Sequence, residues 1–224
     1  MTDAHHADGD GHADADDKLR REALRLNDRY LHEVVLGFGL CPWAERSITG
    51  GELRRAVVLD RTPTLAAALS FIDELARAGP DASVGMLIFP RAQVESPAFD
   101  RFTEEVRRAD RERCRAEGRK DFVMAAFHPD APSTFTNRYQ LVSFLRRTPD
   151  PTIQLVRAEL LDQLRVTRPS LSDDIAQQNY DQVTAQGVPR LEAILGDLRR
   201  DRDQSYGRLA AGLAAGLATG PTGR

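Results

Sequence analysis

The run Val84-Gly85-Met86-Leu87-Ile88-Phe89, the charged stretch that opens at Ser96-Pro97 and ends at Gly118, and the run Phe122-Val123-Met124-Ala125-Ala126-Phe127 together decide the fold class. Both short runs are apolar without polar alternation, which is how a strand covered on both faces reads. The stretch between them starts with a Ser-Pro pair, whose proline suits the first helical turn, and ends at a glycine suited to a helix C-terminus. Strand, helix, strand at this spacing is α/β grammar. Toward the N-terminus, Ala56-Val57-Val58-Leu59 reads as another strand, followed by a helix that opens at Thr62-Pro63 and breaks at Gly79-Pro80-Asp81. Further upstream Leu19, Ala23, Leu26, Tyr30 and Val34 recur at helical spacing, and Gly37-Phe38-Gly39 stops that helix before Leu40-Cys41-Pro42-Trp43-Ala44.

Beyond Phe127 the pattern turns helical. Residues 138–146 read as a short helix, and Asp150-Pro151 reads as the cap of another that carries Ile153, Leu155, Val156, Leu160, Leu161 and Leu164. Ser172-Asp173-Asp174 caps a third, and Val188-Pro189 starts a fourth that reaches about Arg200. The expectation is a single α/β domain over residues 18–200, with a small, mainly parallel three-stranded sheet flanked by helices and a helical C-terminal extension. Residues 1–17 hold six Asp and no Lys or Arg, and are expected to be a disordered acidic tail. Residues 201–224, which end in the glycine-interrupted GRLAAGLAAGLATGPTGR, are expected to be a flexible or frayed tail.

Composition narrows the function classes. The chain has 224 residues, 41% hydrophobic and 29% charged, with a formal net charge of −3. That balance gives no electrostatic footprint for nucleic acid. No apolar run reaches the length of about 18 residues that a membrane span needs. Two cysteines, Cys41 and Cys114, make no disulfide framework, and the N-terminus has no basic and apolar leader, so cytoplasmic residence is expected. No motif argues for a cofactor: Gly37-Phe38-Gly39-Leu40-Cys41 lacks both the phosphate-loop lysine and a third dinucleotide-binding glycine. No CxxC, HxxxH or HExxH spacing supports a metal site, and a GxSxG elbow is absent.

Three groups of residues carry potential chemistry. Cys41 sits in a turn between regular elements, where a thiolate paired with an imidazolium is a nucleophile; its bland alternative is a small buried hydrophobe. His128 ends the run Phe122–Phe127, at the strand edge where open α/β sheets place ligand groups, with Asp130 two residues on. The alternative for His128 is a hydrogen-bonded side chain that closes a strand. Arg146 and Arg147 precede the expected helix at Asp150-Pro151, where N–H groups and the dipole attract anions, and Arg157 is expected two turns inside it. The alternative there is structural, with Asp150 as cap and Arg157 lying along the surface.

Leu40-Cys41-Pro42-Trp43-Ala44, Ala126-Phe127-His128-Pro129-Asp130, Arg147-Thr148-Pro149-Asp150-Pro151 and Leu155-Val156-Arg157, in that order, resemble the segments of a bacterial family catalogued as domain of unknown function 1415. The resemblance covers about residues 18–200 and implies no catalytic residues, since the family carries no assigned activity. The chain departs from the resembling pattern at Arg146 (Asn there), Asp150 (an aromatic) and Gln154 (His).

Three readings fit these residues. One is a small-molecule enzyme in which Cys41, His128 and Asp130 act on an anionic substrate held by Arg146, Arg147 and Arg157. Another is a protein that binds an anion or metabolite without chemistry. The last is a structural or partner-binding protein. A common cleft for Cys41, His128 and Arg147 favours the first two.

Overall fold

In the computed structural model, which describes residues 7–41, 44–132, 136–167 and 170–218, the stretch after Asp150-Pro151 is a strand and not a helix. The element order is α1 (Ala7–Tyr30), a π-helical turn over Leu31–Leu36, α2 (Ala44–Thr49), β1 (Leu53–Val57), α3 (Leu65–Ala78), β2 (Val84–Ile88) and α4 (Ser96–Glu117). It continues with β3 (Phe122–Phe127), α5 (Arg138–Leu145), β4 (Thr152–Arg157), α6 (Ala158–Thr167), α7 (Leu171–Gln186) and α8 (Val188–Ala218). The four strands form one mixed sheet in the order β1-β2-β4-β3. β1 and β2 are parallel, and β4 runs antiparallel to both β2 and β3. The α/β class stands. The expectation of three mainly parallel strands does not, because β4 takes the inner place and leaves β3 at an edge.

The physical reason lies in the alternation of β4. Ile153 and Leu155 enter the core under α3 and α4, together with Leu87, Phe99 and Val106. Gln154 and Val156 point to the opposite face, beside Met86 and Phe127. This is the period of two that a strand requires. Ile153, Val156, Leu160 and Leu164 also fit a helical spacing, and that coincidence hides the strand in the sequence.

Each sheet face has its own helical layer. α3 and α4 cover one face through Phe71, Ile72, Leu75, Phe99 and Val106. α3 lies close because Gly85 carries no side chain: a Cβ there would stand 2.4 Å from a Leu75 methyl. Thr64 caps α3 by accepting from the Ala67 N–H, two residues past the expected cap, and Gly118 ends α4 with φ of 68°. The other face carries α1, the π turn, α5, α7 and α8, joined through Tyr30, Val34, Phe38, Leu141, Phe144, Val183, Leu191 and Leu198. Tyr30 donates a hydrogen bond to the Leu145 carbonyl at 2.5 Å and so ties α1 to the end of α5.

Near both ends the described residues are helical. α1 begins at Ala7, inside the segment expected to be disordered, and Asp16 pairs with Arg91 at 2.7 Å. Residues 1–6 and 219–224 lie outside the described residues. α8 continues well past Arg200, and Asp201 receives Arg25 at 2.8 Å and Arg29 at 2.5 Å from α1. One turn further sits a buried polar node. Asp150, 2% exposed, accepts from Arg202 Nε at 3.0 Å and from the Tyr206 hydroxyl at 2.6 Å. Burial pushes the Asp150 carboxyl above the usual aspartate range, while the Tyr206 and Arg202 hydrogen bonds pull it back toward the charged form.

Removing one member of a buried ion pair strands the other, at a cost of about 3–5 kcal/mol. Asp150→Ala is therefore expected to lower unfolding free energy by about 3 kcal/mol, and Tyr206→Phe by about 1 kcal/mol, in urea titrations. Wild-type stability in Asp150→Ala contradicts the node.

Candidate functional site

The face covered by α1 and α7 encloses a cavity of about 260 Å³. It reaches from Phe127 at the end of β3 to Leu53 and Val84 at the starts of β1 and β2. Its walls are mostly apolar, with Leu31, Val35, Leu40, Met86 and Ile175 among them. A few residues with polar side chains line it as well: Tyr30, Cys41, Ser47, Arg146, Gln154 and Asn179. An apolar cleft with a small number of placed polar groups is the usual form of a small-molecule site. The π turn builds one wall. Its wide hydrogen bonds, Gly37 N–H to His32 carbonyl at 3.0 Å and Leu40 N–H to Val35 carbonyl at 2.9 Å, rotate Leu31 and Val35 inward next to Leu40 and Cys41.

Arg146 supplies the charge. It follows α5, stands half-buried, and its guanidinium lies 5.8 Å from the centre of the Phe127 ring. Among the described residues it forms no ion pair and no side-chain hydrogen bond. Burial holds its pKa below the usual arginine value, Tyr30 and Asp100 favour the charge from further off, and Arg107 opposes it. A cation desolvated without a partner is an electrostatic cost that a bound anion removes.

His128 lies elsewhere. It is 4% exposed and packs at 6.0 Å between ring centres against Phe99, on the face that α4 covers. Nε2 donates to the Val94 carbonyl at 2.9 Å, and Nδ1 accepts the Asp130 backbone N–H at 3.1 Å. This tautomer follows from the two partners, since only Nδ1 faces a donor. Both ring nitrogens are engaged, and His128 is not among the residues that line the cavity. Cys41 and His128 do not share a cleft. The Asp130 carboxylate turns away as well, pairing with Arg199 at 2.9 Å on the surface. His128 closes the end of β3; it does not face the thiol.

The three arginines separate too. No helix begins at Asp150-Pro151, so the expected anion site at a helix N-terminus has no helix to build it. Arg147 points away from Arg146, over the Phe144 ring at 5.8 Å, into a crevice of about 20 Å³ beside Pro129 and Leu195. That volume holds about one water and no substrate. Arg157 ends β4 and is a structural clamp. It donates to the Ala82 carbonyl at 2.9 Å and to the Leu75 carbonyl in the last turn of α3, with its guanidinium 5.2 Å from the centre of the Phe122 ring. Cys114 is also structural: its buried thiol meets Asp110 at 3.3 Å, and burial, then Asp110, pushes its pKa up to about 12.

Of the expected site residues, the cavity gathers Cys41 and Arg146. It adds Gln154 and Asn179, which sequence reasoning missed. Asn179 carries a readable signal, since Ile175, Asn179 and Val183 follow each other at four-residue steps and Asn breaks an apolar stripe. Gln154 becomes readable only once its segment is known to be a strand. Among the described residues no group of three His, Cys, Asp or Glu side chains is placed to hold a metal ion.

Because neither imidazole nitrogen faces the thiol, His128→Gln is expected to leave the alkylation rate of Cys41 by iodoacetamide unchanged. It is also expected to lower stability by about 1–3 kcal/mol through the loss of buried hydrogen bonds. Slower alkylation in the folded variant contradicts the separation.

Comparison with known proteins bears on family and not on chemistry. Neither the curated proteins nor the solved structures contain a match to this chain. A family model described as "Protein of unknown function (DUF1415)" matches residues 22–193, a span that runs from α1 into α8 and includes the whole sheet and every cavity residue named above. The chain belongs to that family.

Proposed function

We propose that the cavity beside Cys41 binds a small molecule with an acidic group and an apolar body, the acid at Arg146 and the body along Leu31, Leu40 and Met86. The observation that carries this reading is the half-buried Arg146 guanidinium, which faces an apolar-walled cavity without an ion-pair partner among the described residues. Guanidinium is the side chain best suited to a carboxylate or phosphate, because its planar fork presents paired donors. The cavity volume of about 260 Å³ lies below the range of about 300–1,000 Å³ typical of drug-sized ligands, which supports a small metabolite over a nucleotide.

Binding without chemistry is the better supported form of this function. The enzymatic reading drew on a Cys41–His128 pair, and both His128 nitrogens hold backbone groups instead. A partner-binding role for the C-terminal helices has less support, since α8 is committed to α1 through Asp201 and to the turn before β4 through Asp150. Cytoplasmic residence in a bacterial cell belongs to the same proposal, supported by two cysteines that form no disulfide.

Octanoate serves as a generic apolar acid. At one hundred times its dissociation constant, binding linkage adds about 2.7 kcal/mol of stability, or a rise in melting temperature of about 5–10 °C for a chain of this size. Arg146→Gln is expected to abolish most of that rise and Arg147→Gln to leave it intact. Equal shifts in the wild type and in Arg146→Gln contradict the proposal.

A further inference from the structure

Gln154 stands in β4 between Met86 of β2 and Ala125 of β3, and it lines the cavity. The strand around it is apolar: Ile153 and Leu155 fill the core under α3 and α4, and Val156, the next residue on the cavity face, is apolar as well. Packing alone favours an aliphatic side chain at such a position, since a covered carboxamide needs hydrogen-bond partners. Gln154 is half-buried, and its side chain makes no hydrogen bond among the described residues. Its amide is not sealed in, however. The buried side-chain atoms without a partner are Asn179 Oδ1, Arg119 Nη1 and Arg147 Nε, and neither amide atom of Gln154 is among them. The Gln154 carboxamide is therefore unpartnered and open, and the space beside it is the cavity it lines.

The charged end of the site is close by. Gln154 pairs with Ala125, so Phe127, two residues along β3 on the same face, is its diagonal neighbour at about 7–8 Å. The Arg146 guanidinium lies 5.8 Å from the centre of that Phe127 ring. A cation and an unpaired carboxamide thus line one apolar space, a short chain apart.

We infer that the cavity takes a short carboxylate whose other end presents a hydrogen-bond donor and an acceptor side by side, as a primary carboxamide or a lactam does, with the acid at Arg146 and that group at Gln154. This rests on the reading of Arg146 given above and narrows its ligand class. The glutamine carboxamide offers N–H and C=O on one planar edge, and a second carboxamide matches both at once. An alkyl end covers the same edge without pairing it, and a polar group stranded in this way opposes binding.

Octanoate, suberamate (the same chain ended in a carboxamide) and 8-oxononanoate (a methyl group in place of the amide nitrogen) form the test series. Calorimetric titration of the full chain is expected to show suberamate binding about tenfold more tightly than the methyl ketone, the value of one good hydrogen bond. In Gln154→Met, which keeps the length of the side chain, that preference is expected to fall below about twofold. The ratio is internal to each protein, so a change in fold stability does not mimic it; Gln154→Leu gives the same reading if the methionine variant does not fold. Equal binding of suberamate and the ketone by the wild type, tighter binding of the ketone, or a preference that persists in the variant overturns this inference and leaves the Arg146 reading standing if octanoate still requires Arg146. Failure of all three acids to bind the wild type overturns both.

Discussion

The carboxylate of Asp150 is almost fully buried, and its two oxygens are held by Arg202 and Tyr206 from α8. The interaction fixes where the chain turns into β4, because Thr148 and Thr152 both donate their hydroxyls to the Asp150 carbonyl, at 2.7 Å and 2.9 Å. With the start of β4 held, its register between β2 and β3 follows, and Arg157 secures the far end against the last turn of α3. Register decides function here, since a slip of one residue turns every side chain of the strand to the other face. Gln154 and Val156 would leave the cavity, and Ile153 and Leu155 would enter it.

The same sheet divides the molecule chemically. On the face of α3 and α4 lie the residues whose polar atoms are spent on the fold: His128 on Val94 and Asp130, Asp110 on Arg119 and the Phe122 N–H, Arg157 on Ala82 and Leu75. On the face of α1 and α7, Arg146 and Gln154 are polar groups left wanting. Buried polar groups in stable folds are satisfied, so the contrast separates framework from candidate site better than residue type does. A histidine at a strand end and three arginines in two adjacent segments look equally reactive on paper; their partners tell them apart.

Much of the fold was legible in the sequence. The run Phe122–Phe127 is a strand with those bounds, Val84–Ile88 falls inside its expected run, and Gly79 and Gly118 end the helices they were read to end. These elements have local causes: apolar runs between breakers, and glycines with positive φ. What escaped was non-local. The segment Thr152–Arg157 fits both periods, and only the gap between β2 and β3 selects the strand. α8 contains glycines that argue for fraying in isolation, and it is held by Asp201, Arg202 and Tyr206 meeting partners far away in the chain. The site followed the same rule. Cys41 and Arg146 were identified as chemistry-bearing residues, while their shared cavity, and the exclusion of His128 from it, depend on which face each residue takes.

The central claim is that Arg146 holds the acidic group of a bound molecule inside the cavity. A crystal structure of the protein with octanoate tests it most directly. The account predicts a carboxylate within about 3 Å of the Arg146 guanidinium, at ordinary hydrogen-bond distance, with the alkyl chain against Leu40 and Met86. Octanoate bound only outside the cavity, or Arg146 folded onto Asp100 with the cavity empty of ligand, would contradict it.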